Sequence, residues 1–112
     1  MGYRLHTAKT YKVEWDYNGY FNHCTEAINE LIAELCPCAF FDDEQKCFSS
    51  RIEINRDELQ EAVQSIKNDT EYYDRLLYAR NIDYNAEEFA DILQHYLKDS
   101  DQRNDFVVLE WF

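Results

Sequence analysis

The chain has 112 residues, with 23 acidic against 11 basic side chains, for a formal charge of −12 with histidine neutral. That length supports one domain with one core, and the charge argues against unaided binding to DNA, RNA or an anionic membrane, each of which needs a positive footprint. Two Gly and one Pro exclude a glycine-rich phosphate cradle and predict turns held by side chains.

Met1 to Lys12 is the one basic segment, with Arg4, Lys9 and Lys12 and no acid. It lacks the apolar core of a signal peptide, and no apolar run approaches the roughly 20 residues needed to span a bilayer. The expectation is a cytoplasmic protein with reduced thiols. In residues 11–17, Tyr11, Val13, Trp15 and Tyr17 alternate with Lys12, Glu14 and Asp16, the period of a half-buried strand. Asn18-Gly19 is a strong turn signal, leaving only Tyr20 and Phe21 for a returning strand. A helix then starts near Asn22 or Thr25, with Ala27, Ile28, Leu31, Ile32 and Leu35 as its stripe. Pro37 ends it at Leu35 or Cys36.

Ala39–Phe41 and Cys47–Phe48, split by Asp42-Asp43-Glu44-Gln45, read as a hairpin with an acidic tip or an irregular loop, and Arg51–Ile54 as a short strand. Asn55 with Glu58 resembles a capping box ahead of Leu59, Ala62, Val63 and Ile66. A third helix is predicted over 70–80, with Tyr73, Leu76, Leu77 and Tyr72 facing inward. Asn85 with Glu88 opens a fourth, carrying Phe89, Ile92, Leu93, Tyr96 and Leu97. The last run, 106–112, is apolar at both parities except Glu110, as in a strand central to a sheet. These elements predict an α+β domain: a small mixed or antiparallel sheet including the first (11–17) and last (106–112) strands, with about four helices packed against it. If one chain cannot cover both faces of the last strand, a homodimer is the remedy.

Four cysteines invite a metal reading through Cys36, Cys38 and Cys47, completed by His23 or Cys24. A helix between Cys24 and Cys36 would hold them about 18 Å apart, too far to share one ion. Free cysteines buried as small hydrophobes are the simpler reading. Asp99, Asp101, Asp105 and Glu110 fall in a calcium-loop register, but Asn104 stands where glycine is wanted and Arg103 at a ligand position. His6, His23 and His95 lie in no catalytic signature. His23 beside Cys24 at a helix start is the one suggestive pair. No catalytic set, metal or cofactor is expected. Trp15, Phe40, Phe89, Phe106 and Trp111 have core-like spacing, whereas Tyr3, Tyr20, Tyr72, Tyr78 and Tyr84 are too many to bury together.

The strongest functional signal is charge. Glu14 to Glu44 holds eight acids and no Lys or Arg. Within it Glu26, Glu30 and Glu34 recur four apart, placing successive carboxylates roughly 6 Å apart along a helix axis. Like charges so placed cost about a few tenths of a kcal/mol per pair. Glu26, Glu30 and Glu34, with Asp42, Asp43 and Glu44, are therefore the candidate contacts for a basic protein partner. The expected protein is a non-enzymatic interaction protein, in its sharpest form a nucleic-acid mimic that inhibits a nucleic-acid-binding or defence enzyme. In composition, though not in any motif, the chain resembles small acidic proteins of phages and mobile elements. Two alternatives stand: a small enzyme or metal- or ligand-binding domain using His23, Cys24, Cys36, Cys38 and Cys47, and a structural subunit whose charge only keeps it soluble.

Overall fold

Asn55 and Asn85 start two of the helices. The Asn55 side chain accepts hydrogen bonds from the backbone N–H of Asp57 (3.0 Å) and Glu58 (3.4 Å). Asn85 forms the full reciprocal box: its side chain accepts from the Glu88 N–H (2.8 Å), and the Glu88 carboxylate accepts from the Asn85 N–H (3.0 Å). Each satisfies amide groups that a helix start leaves unpaired. The computed structural model describes residues 4–8, 15–16 and 20–112. Its helices are α1 (Thr25–Leu35), α2 (Arg56–Asn68), α3 (Thr70–Ala79) and α4 (Ala86–Asp99). Its strands are β1 (Leu5–Ala8), β2 (Trp15–Asp16), β3 (Phe40–Phe41), β4 (Arg51–Asn55) and β5 (Phe106–Trp111), with a 3-10 turn at Lys46–Phe48.

The shortage of glycine is met at the end of α3. Asn81 takes a left-handed φ of 59°, its N–H donates to the Tyr78 carbonyl (3.1 Å), and the Ile82 N–H donates to the Leu77 carbonyl (3.0 Å). This is the paired closure by which a helix satisfies its last carbonyls, with asparagine in the place glycine usually takes. Arg56 closes α4 from outside. Its guanidinium donates to the carbonyls of Leu97 (3.3 Å), Asp101 (2.8 Å) and Asn104 (2.9 Å) and to the Ser100 hydroxyl (2.8 Å). A cation there also complements the negative end of the helix.

The five strands form one antiparallel sheet in the order β2-β1-β5-β4-β3, so the C-terminal strand β5 is central. Leu5, Ile52, Ile54, Val107, Leu109 and Trp111 line one side and are buried with the helix residues Ile28, Leu31, Ile32, Leu59, Ile66, Phe89, Leu93 and Tyr96. The domain is α+β, with helices layered on that side. Tyr96 ties the layers together: its hydroxyl donates to the Leu5 carbonyl (2.9 Å) and accepts from the Phe21 N–H (3.0 Å). Among the described residues no helix is long and apolar enough to cross a membrane.

The structure corrects several expectations. Of the strand expected over 11–17, Trp15–Asp16 is strand; residues 11–14 and 17, like the Asn18-Gly19 turn, lie outside the described residues. Strand β2 lies in the same sheet as β5, as expected, and between them stands β1, an unexpected strand within the basic N-terminal segment. Phe21 is buried and its carbonyl accepts from the Leu5 N–H (3.1 Å), but Tyr20 and Phe21 form no strand. Phe40 and Phe106, expected in the core, are 59% and 43% exposed. In the register Phe40 pairs with Glu53 and Phe106 with Asn55, on the side of the sheet turned from the core. Tyr72 faces solvent, leaving Leu77 as the buried residue of α3, with Tyr73 and Leu76 half-buried.

Candidate acidic interface on α1 and the 3-10 turn

The helix α1 begins after Cys24, whose backbone is left-handed (φ 61°, ψ 32°), and it buries Ile28, Leu31 and Ile32. Glu26, Glu30 and Glu34 are exposed on its other side. Glu26 lies in the first turn, where a negative charge is favoured by the helix dipole. The three differ in their surroundings. Glu34 is held by the Arg80 guanidinium through two contacts, one of them 2.7 Å. That hydrogen bond, reinforced by the Arg80 charge and opposed by burial, keeps its carboxyl below the ordinary range. Arg80 lies 46 residues away in sequence, so the missing counter-charge of the acidic stretch is supplied at this one point by the fold. Among the described residues no cation pairs with Glu26, Glu30 or Glu44.

The loop acids serve partly as turn supports. Asp42 accepts from the Ser50 N–H (3.0 Å) and hydroxyl (2.9 Å). Burial pushes its carboxyl up, but hydrogen bonds from the Arg51 backbone and from Ser50 and Ser49 outweigh it, so its affinity for a proton falls. Asp43 accepts from the Gln45 N–H (2.9 Å), a local turn of the kind aspartate favours. Glu44 is exposed at the tip.

Asn29 brings this loop and α1 together. It is fully buried, and its amide nitrogen donates to the carbonyls of Ser49 (2.8 Å), Lys46 (3.2 Å) and Cys47 (3.4 Å). Its side-chain oxygen accepts from the Trp111 indole N–H (2.9 Å). The 3-10 turn is thereby fixed against α1 from below. The Cys47 thiol records the result: burial raises its pKa first, and the carboxylates of Glu30, Glu26 and Asp43 raise it further. Phe48, in the same turn, is 57% exposed, and Lys46 lies with its ammonium 5.6 Å from the centre of the Phe41 ring. The face is an acidic field around an exposed aromatic side chain, on a rigid turn.

The thiol and histidine set does not converge. Cys24 and Cys36 flank α1 at opposite ends, the Cys24 thiol donates to the Asn81 carbonyl (3.6 Å), and Cys38 is exposed. Cys36 is buried, and burial, with a smaller effect of Glu58, pushes its thiol up to about 12. Among the described residues no three His, Cys, Asp or Glu side chains form a group that could hold a metal ion. His23 turns away from its neighbour Cys24: its Nδ1 meets the Asn22 side-chain oxygen (2.6 Å) and the Tyr84 hydroxyl (3.3 Å), its ring stacks on Tyr84, and Nε2 lies 3.6 Å from Asp83. These contacts dock the start of α1 onto the loop between α3 and α4. His95 is exposed and stacks on Tyr20. The calcium register is dispersed over the end of α4 (Asp99), a turn (Asp101, paired with Arg103 at 3.0 Å) and strand β5 (Glu110).

Asn29, Arg80 and Phe48 were not singled out by sequence. Asn29 carried one signal: it stands three residues before Ile32, on the flank of the apolar stripe, where a polar residue needs a buried partner. Arg80 carried none, because its partner is remote in sequence. Compared with protein-family models, with curated proteins and with solved structures, the chain finds no match in any of the three.

Proposed function

We propose that the protein is a non-enzymatic interaction protein whose α1 and 3-10 turn face engages a basic site on a partner protein. The observation that carries this reading is the exposed Glu26 and Glu30 on α1, next to the 3-10 turn that Asn29 holds against that helix and on which Phe48 is exposed. Like charges four apart on a helix cost stability, and Glu26 and Glu30, without ion-pair partners among the described residues, sit beside a turn that buried hydrogen bonds hold in place. An aromatic anchor inside a charged surround is the arrangement by which interfaces combine affinity with electrostatic steering. Glu34 contributes less net charge, since Arg80 is paired with it, and Asp42 stays charged but has its oxygens engaged by Ser50.

In its sharpest form the partner is a nucleic-acid-binding enzyme, and the acidic face occupies the groove that phosphates would fill. The test is capture of partners from the cell that makes the protein, at low and high salt, followed by competition between the captured partner's nucleic acid and this protein. The expected outcome is mutual exclusion that weakens as salt rises. A partner that binds nucleic acid and this protein together would remove the mimic. Binding indifferent to salt would remove the acidic interface altogether.

A further inference from the structure

Helix α2 has two unlike flanks. Glu58 and Glu61 lie on one, with Glu34 of α1. On the other, Gln60 and Gln64 stand one turn apart and face Gln94 and Lys98, one turn apart on α4. With Gln102 and the apolar Val63 and Leu97, they wall a cavity of about 410 Å³. Four of the chain's five glutamines meet here, and no carboxylate lines the cavity among the described residues, although acids outnumber bases 23 to 11. The carbonyls at the negative end of α4, which would repel an anion, are covered. Arg56 donates to those of Leu97, Asp101 and Asn104, and the Gln102 amide nitrogen to those of Leu97 (2.8 Å), Lys98 (3.1 Å) and Ser100 (2.9 Å). Neither Arg56 nor Lys98 forms an ion pair among the described residues, so two positive charges at the cavity wall have no carboxylate against them.

We propose that this cavity binds a phosphorylated small molecule. The Arg56 guanidinium directs its donors to carbonyls and the Ser100 hydroxyl, so its charge remains but no fork is left to grip a carboxylate. Lys98 is exposed and supplies a compact ammonium, the form in which lysine holds phosphate. Neutral donors stand on both walls: Lys67 donates to the Gln94 side-chain oxygen and leaves its amide nitrogen available, and the Gln60 carboxamide makes no hydrogen bond among the described residues. Gln64 and Gln102 have their amide nitrogens engaged and present oxygens to hydroxyl or amino groups on the body of the ligand. The volume lies toward the small end of the range for ligand pockets, about 300–1,000 Å³, and suits a sugar phosphate or a mononucleotide. Repulsion from acids elsewhere on the chain is limited, because exposed charges more than about 8 Å away are largely screened at physiological ionic strength.

Nuclear magnetic resonance of the isotope-labelled full chain reads this through the side-chain amide signals of Gln60 and Gln94. The probes are adenosine monophosphate, glucose phosphate and inorganic phosphate, each titrated at an ionic strength held constant with sodium chloride. The expected result is saturable shifts at both amides with an organic phosphate, at lower concentration than with inorganic phosphate. Which organic probe binds more tightly distinguishes a nucleotide from a sugar phosphate as the ligand. Lys98→Gln should weaken binding about tenfold and leave the backbone spectrum otherwise unchanged, because the side chain is exposed. Gln60→Ala/Gln94→Ala, followed through the backbone amides of α2 and α4, should weaken it as well. No saturable shift with either organic phosphate, organic probes no tighter than inorganic phosphate, or equal affinity in Lys98→Gln would overturn the proposal.

Discussion

Asn29→Asp replaces one atom at the point where α1, the 3-10 turn and β5 meet. The side chain keeps its shape, and one oxygen can still accept the Trp111 indole N–H (2.9 Å). The other oxygen now faces the carbonyls of Lys46, Cys47 and Ser49, which the amide had satisfied as a donor. With Asn29 fully buried, an ionised carboxylate there has no cation and three repelling dipoles, a loss of about 3–5 kcal/mol at neutral pH. That is a large part of the roughly 5–15 kcal/mol a domain commands. Protonation restores one donor, leaving a cost of about 1–3 kcal/mol for the carbonyls still unsatisfied. The introduced carboxyl therefore has a folded pKa above its unfolded value, so its proton-linked stability is present at low pH and lost as pH rises. Relative to wild type, urea midpoints should converge on acidification and diverge toward neutrality. A variant within about 1 kcal/mol of wild type at neutral pH would refute the role given to Asn29.

Val108→Asp places a carboxylate on the central strand at a residue 3% exposed, and the chain should lose cooperative unfolding; an equally stable folded variant would mean the sheet is wrongly ordered. Alkylation of the four thiols should be fastest at the exposed Cys38 and slowest at the buried Cys36, read by mass spectrometry. Folded Cys36 holds its proton more tightly than the unfolded chain does, so its contribution to stability is intact below 9.0 and lost as pH rises through about 12, which alkaline denaturation should reveal and Cys36→Ala should reduce. Arg56→Met strips donors from the carbonyls that close α4 and should cost about 2–3 kcal/mol in thermal or urea unfolding, whereas removing the half-exposed Glu34–Arg80 pair should cost at most about 1 kcal/mol.

The helices were legible because their signals are local. Asn55 and Asn85 each announce a start three residues before a glutamate, and Pro37 announces a stop. The last strand was legible because Val107, Val108, Leu109 and Trp111 are apolar at both parities, and it is central. Strand β1 was not: Leu5-His6-Thr7-Ala8 has one large apolar residue, and its pairing with β5 is fixed by contacts about a hundred residues away in the chain. Phe40 and Phe106 misled because hydrophobicity sets no side, while the register of a strand does. The acids of the candidate face were visible as a run without cations. What the sequence could not carry was the pairing of Glu34 with Arg80 or the clamp at Asn29, since both join elements remote in the chain.

The central claim is that position, and not total charge, makes the acids of α1 functional. Glu26→Lys/Glu30→Lys reverses two acids of the face, while Glu61→Lys/Glu87→Lys reverses two exposed acids on α2 and α4 and changes net charge equally. Both variants should fold, since all four side chains are exposed. In competition against nucleic acid for the captured partner, the first variant should fail and the second should compete much as wild type does. Equal competition by both, or equal failure, would contradict the account and leave the charge as a matter of solubility or of bulk electrostatics.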